Sequence, residues 1–320
     1  MATSHVSTDT RSAGPQATKG IALFRILGLL VLSLAIGGCG GRGGGAAGGS
    51  PDSVVDVGGG RKIYFECYGE GVPTVLLVSG KGDRADTWHT NRLEPPNAQA
   101  SVIFRTAQFT RVCAYDRPGT IGVSREPSRS DPAAEPATAR DGVADLHALL
   151  TAALVQGPYV IVGHSYGGLI ARLYASTYPN EVAGLVLEDA LSEGLYDGLT
   201  PAQRDVLESI NLLPERVGTV ASFAQVTSAP RVRTLPMTIL TADRPPISAQ
   251  DVASGVLPSD VTAEFVEALW SAQVAAQDRL AKLFPGAKHV TKTDSRHYIH
   301  LEQPQVVVDS IREVVDAVRR

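Results

Sequence analysis

The chain has 320 residues, 43% of them hydrophobic and 19% charged, with a formal net charge of −4. That balance suits an ordinary globular protein and excludes a nucleic-acid binder, since no basic stripe is available to a polyanion. No internal repeat and no Cys/His cluster at metal spacing is present.

Residues 1–20 are polar, and Arg25 then precedes an unbroken apolar run over 26–36. The run is about half of the ~20 residues a membrane-spanning helix needs, so it reads as the apolar centre of a secretory signal. It ends in Ile36-Gly37-Gly38-Cys39, which resembles the lipobox of bacterial lipoproteins. The resemblance implies a signal peptide over 1–38, a lipid on Cys39 and a membrane reached through that lipid. Plain secretion and an uncleaved anchor are the alternatives. Loss of 1–38 removes Arg11, Lys19 and Arg25 with Asp9, moving the formal charge from −4 to −6. Residues 40–50 are almost all Gly and Ala, a composition with too few side chains to pack, so 39–53 is expected to be a tether. Residues 54–320 suit one domain with a large core.

Within that domain apolar strands alternate with helical stretches, the pattern of an α/β fold with a mostly parallel sheet covered on both faces. Strands are expected at 54–57, 62–68, 74–78, 112–115, 159–162, 183–188, 237–241 and 288–293. Helices are expected at 139–154, 165–178, 262–283 and 305–318. The stretch 190–235 has no strand pattern, carries one helix near 201–211, and reads as a small cap over the C-terminal edge of the sheet. Clefts of open α/β sheets lie along that edge.

The fifth strand runs into Gly163-His164-Ser165-Tyr166-Gly167-Gly168, a G-x-S-x-G turn followed by a helical pattern. Such a turn lifts the serine hydroxyl clear of the backbone, and side chains at the flanking glycines would crowd it. A match to the pentapeptide alone is weak; strand before, helix after and a distant His give it weight.

Taken together, five motifs in order make the chain resemble the α/β-hydrolase superfamily, in its single-domain esterase-like branch, from about residue 54 onward. The elbow is one. Thr74-Val-Leu-Leu-Val-Ser79-Gly80-Lys81-Gly82 stands where relatives carry a strand and oxyanion loop, and Tyr115-Asp116-Arg117-Pro118-Gly119 is similar to the family's D-R-P-G turn. Residues 120–124 carry one residue more than the usual G-x-G-x-S after it. Leu240-Thr241-Ala242-Asp243-Arg244-Pro245 resembles the family's strand-seven acid motif, and Ser295-Arg296-His297 to Pro304 resembles its His loop.

The resemblance implies Ser165 as nucleophile, His297 as base, and the backbone N–H groups of Tyr166 and Lys81 as oxyanion donors. His300 is the rival base; His89, His147, His164 and His289 are read as loop, surface or packing residues, and His5 lies in the leader. The acid stays open. Asp189 follows strand six, Asp243 follows strand seven two residues ahead of the usual position, and Glu188 is a third candidate. The resemblance also implies that Asp116 and Arg117 brace the sheet edge and the oxyanion loop, a structural part. In the resembled fold the second strand runs antiparallel beside the fourth, which implies a disulfide between Cys67 and Cys113 if the register aligns them. The activity implied is hydrolysis of a small-molecule ester through an acyl-enzyme, with no metal and no organic cofactor. A proline-iminopeptidase-like peptidase and a non-catalytic binding lipoprotein on the same fold are the alternatives. Nothing in the sequence sets the oligomeric state.

Overall fold

Alternation along the strands decides the layers. In β3 (Thr74–Val78), Val75 and Leu77 join one apolar cluster while Leu76 and Val78 join another. β4 (Val112–Tyr115) and β5 (Tyr159–His164) alternate in the same way, as a sheet buried on both faces requires. The computed structural model describes residues 52–95, 97–210, 215–254 and 257–320; the expected signal segment, Cys39 and all but the last two residues of the tether lie outside the described residues.

The remaining strands are β1 (Asp52–Asp56), β2 (Lys62–Tyr68), β6 (Val182–Glu188), β7 (Met237–Leu240) and β8 (Lys288–Val290). They form one sheet in the order β1-β2-β4-β3-β5-β6-β7-β8. β2 runs antiparallel to β1 and to β4, and every other pairing is parallel. Cys67 and Cys113 face each other directly in the β2–β4 register and are joined by a disulfide, with Cα atoms 4.1 Å apart.

Helix α1 (Val102–Thr106) lies on the face that β3 gives Val75 and Leu77, and α2 (Ala139–Ala152) and α3 (Tyr166–Thr177) lie on the other. Leu146, Leu149, Leu169 and Ile170 from α2 and α3 are fully buried there. Full burial of such side chains stabilises the fold by about 1.5–3 kcal/mol each. Between β6 and β7 come α4 (Gly194–Asp197), α5 (Pro201–Ile210) and α6 (Thr219–Ser228). After β7 come α7 (Ala249–Ala253) and the long α8 (Ala263–Leu283), then α9 (Ile299–Glu302) and α10 (Pro304–Arg319). The last helix starts with Pro at its first position and buries Val307, Val308, Ile311, Val314 and Val315, a stripe of helical period, against the α1 face.

A third apolar cluster stands apart from the sheet. Leu195 and Leu199 pack there against Val261, Phe265, Leu269, Ala272 and Ala276. Chain that leaves the sheet after β6 and chain that leaves it after β7 therefore share one small core. α6, which has no counterpart in the expected elements, also packs toward the sheet through Phe223.

Candidate active site

Ser165 caps the N-terminus of α3 with φ 50 and ψ −121, a conformation a non-glycine residue holds only when its surroundings enforce it. The enforcement is visible in the backbone. Its N–H donates to the Glu188 carbonyl at 3.1 Å, and its own carbonyl accepts from Gly168 and Leu191 at 2.9 and 2.8 Å. Close approach fixes the flanking residues as glycine: a Cβ on Gly163 would sit 2.6 Å from the Gly167 carbonyl oxygen, and one on Gly167 2.2 Å from that of Val78.

The end of β6 and the stretch between β8 and α9 bring two further side chains to the same place. Asp189 leaves β6 at φ 37, held by its N–H bonded to the Leu240 carbonyl at 2.7 Å. Its Oδ1 accepts from the Ala242 N–H at 3.2 Å, and its Oδ2 accepts from His297 Nδ1 at 2.6 Å. Asp189 is 2% exposed while the His297 side chain is 29% exposed. With Nδ1–H engaged, the lone pair of Nε2 is the basic one. Ser165, Tyr166, Lys81, Asp189 and His297 line one cavity of about 190 Å³. Its other walls are mostly apolar, with Leu191, Leu195, Leu207, Val217, Leu269 and Trp270 among them, so the chain after β6 and the chain after β7 both contribute.

Beyond this geometry, a family model described as the alpha/beta hydrolase family matches residues 75–310. The chain belongs to that family. Among curated proteins, this alpha/beta hydrolase is 34% identical over 116 residues to the uncharacterised protein YqjL of Bacillus subtilis, covering 36% of this chain and 39% of that one. It is 31% identical over 128 residues to lipase LipV of Mycobacterium tuberculosis, covering 40% of this chain and 41% of that one. The match spans less than half the length of each curated relative. Among solved structures it is similar to a thermophilic esterase from Thermogutta terrifontis, with a TM-score of 0.54 at 20% identity, covering 85% of this chain and 100% of that one. At that identity the likeness is one of fold.

The remaining expected residues separate clearly in this alpha/beta hydrolase. Asp243 is exposed and accepts from the backbone N–H groups of Asp294 and Ser295 at 3.1 and 2.9 Å. Burial works against its ionised form, but those backbone donors outweigh it and hold its carboxyl below the usual range. Glu188 turns away from the cavity: its Oε1 accepts from both the N–H and Nδ1 of His300, each at 2.7 Å. His300 also meets Thr87 Oγ1 through Nε2 at 3.1 Å, and neither His300 nor Glu188 is exposed at all. His164 donates from Nε2 to the His297 carbonyl at 3.0 Å, and burial keeps it neutral well below the ordinary imidazole range. His164, Glu188 and His300 offer ligand atoms within 4.8 Å of one another and could by type hold a metal ion. A metal there would have to displace a hydrogen bond, since both ring nitrogens of His300 are engaged.

Electrostatics make His297 more basic than an ordinary imidazole. Burial lowers its affinity for a proton, but the hydrogen bond and charge of Asp189, with Glu188 and Asp83 behind, outweigh burial and raise its pKa above the ordinary value. Tyr166 is the first residue of α3, so its N–H is one of the first-turn donors that have no partner within the helix. Lys81 sits in the loop after β3, where burial lowers its pKa against the pull of Glu208 and Glu215. Glu215 is the residue that sequence reasoning missed: it lies in an irregular segment with no periodicity, yet it accepts from the Gly82 N–H in the loop after β3.

Proposed function

We propose that this protein is a serine hydrolase of ester bonds, with Ser165, His297 and Asp189 as its triad. The observation that carries the reading is His297 itself, bonded through Nδ1 to a buried carboxylate while its ring borders the cavity that Ser165 also lines. His297 Nε2 takes the Ser165 hydroxyl proton as Oγ attacks the ester carbonyl, then gives it to the leaving alcohol. Water hydrolyses the acyl-enzyme by the same route in reverse. Asp189 fixes the tautomer and stabilises the imidazolium. The N–H groups of Tyr166 and Lys81 receive the oxyanion, the first helped by the positive end of the α3 dipole.

The cavity supports a small acyl group. Its volume of about 190 Å³ is close to that of engineered cavities, roughly 150 Å³, that take one benzene ring. Glu208 is the one carboxylate besides Asp189 among the residues lining the cavity, so a peptidase reading lacks the acidic cluster that would hold an α-amine. The Ile36-Gly37-Gly38-Cys39 pattern supports export with a lipid on Cys39, and the Gly/Ala stretch after it supports a tethered domain at the membrane surface.

Activated esters of increasing acyl length are the test. The full chain should turn over the short members and fall off with length, and Ser165→Ala should lower kcat on the order of 10³-fold or more while leaving the fold intact. An unchanged rate in Ser165→Ala would sink the mechanism.

A further inference from the structure

The peptide that carries the Lys81 N–H is clamped from outside its own loop. Arg117, two residues past β4, donates from Nη1 to the Ser79 carbonyl at 2.8 Å and from Nη2 to the Gly80 carbonyl at 2.5 Å. The Gly80 carbonyl and the Lys81 N–H belong to one peptide unit. That unit is planar and trans, so fixing where its C=O points fixes where its N–H points, in the opposite direction. A cationic donor on the carbonyl also polarises the unit and strengthens the N–H as a donor.

Arg117 is in turn aimed by Glu215. Its Nε meets Glu215 Oε1 at 2.7 Å and its Nη2 meets Oε2 at 3.0 Å, with side-chain exposures of 5% and 4%. Glu215 Oε2 also accepts from the Gly82 N–H at 2.5 Å, which holds the next peptide of the same loop. Burial disfavours the Arg117 charge, and Glu215 more than offsets it. Glu215 comes from the cap side of the chain: it lies two residues before Val217, which lines the cavity, and Val217 bridges Ala137 ahead of α2. Both peptides flanking Lys81 are gripped.

We infer that Glu215 and Arg117 are positioning residues that aim and polarise the Lys81 N–H toward the oxyanion, so that the cap segment helps set the rate of the chemical step. This rests on Ser165 being the nucleophile.

The test uses the full chain, one short activated ester, and an alkyl boronic acid, whose adduct on a serine carries a tetrahedral oxyanion. Removing a whole oxyanion donor lowers kcat by about 10²–10³-fold. Misaiming one should therefore lower kcat in Glu215→Gln by roughly 10- to 100-fold, with KM within about twofold and boronic-acid affinity falling in step with kcat. Glu215→Gln leaves a buried cation uncompensated and can fail to fold. The paired variant Arg117→Met with Glu215→Met removes both charges, a change that buried ion pairs often tolerate. It should fold and still show kcat at least 10-fold down. Wild-type kcat in either folded variant, or a loss carried by KM alone, overturns the clamp. A wild-type protein that a fluorophosphonate does not label at Ser165 overturns the nucleophile reading and the clamp with it. A labelled wild type with an unimpaired Glu215→Gln overturns the clamp alone.

Discussion

Two carboxylates adjacent in sequence, Glu188 and Asp189, each hold a histidine of the segment between β8 and α10, and only one of the pairs opens on the cavity. Glu188 ends β6 and takes two N–H groups of His300, whose other ring nitrogen meets Thr87 in a place no solvent reaches. Asp189 turns out of the strand into a left-handed conformation, and the His297 it holds keeps 29% of its side chain exposed and lines the cavity that Ser165 also lines. An acid–histidine bond is therefore not a mark of chemistry by itself. What separates the two pairs is exposure: one is fully buried, and the other opens on the cavity.

Breaking the exposed pair should have the largest effect. Asp189→Asn should lower kcat by about 10²–10⁴-fold, because the amide no longer enforces the tautomer that leaves Nε2 basic. Steady-state kinetics with a folded-state check by circular dichroism reads this, and a fall of less than tenfold would break the comparison.

The pH profile sharpens it. Neutral His297 is the base, so kcat/KM should lose about tenfold per pH unit below its pKa. Asp189 raises that pKa against the effect of burial, so the midpoint should lie above the ordinary ~6.5. In Asp189→Asn the raising partner is gone while burial stays, and the residual activity should titrate at lower pH than in the wild type. A midpoint that moves upward contradicts the assignment.

Glu188→Gln should act mainly on stability. A buried acceptor of two N–H groups is weakened, which should cost about 1–3 kcal/mol in chemical denaturation, with a rate loss smaller than that of Asp189→Asn. A Glu188→Gln variant of full stability and abolished rate would mean that the roles are reversed. Asp243→Asn should change least: its partners are backbone N–H groups at an exposed turn, and kcat should stay within about twofold.

The sequence made the elbow legible because a β-rich apolar run and a helical pattern meet at Ser165 with glycines where only glycine fits. The acid was not separable by the same means. β6 and β7 are parallel neighbours with Glu188 beside Leu240, so Asp189 and Asp243 emerge at the same edge, and both contact the His loop in the folded protein. Only side-chain direction distinguishes them, and that depends on the φ of 37 at Asp189. The Cys67–Cys113 bond could be expected only through the topology of the resembled fold, since 46 residues separate the two and register alone aligns them. Glu215 was invisible because an irregular segment offers no period from which to read a buried contact. α8 was readable as a helix, yet its partners at Leu195 and Leu199 were not, because pairings distant in sequence leave no local trace.

The central claim, that Ser165 is the nucleophile activated by His297, is tested most directly by locating the adduct of a fluorophosphonate probe on the full chain by peptide mass spectrometry. The account predicts one adduct, on Ser165, formed at a rate that rises with the deprotonation of His297 and that collapses in His297→Ala. An unlabelled Ser165, or an adduct on another residue that forms equally fast without His297, would contradict it.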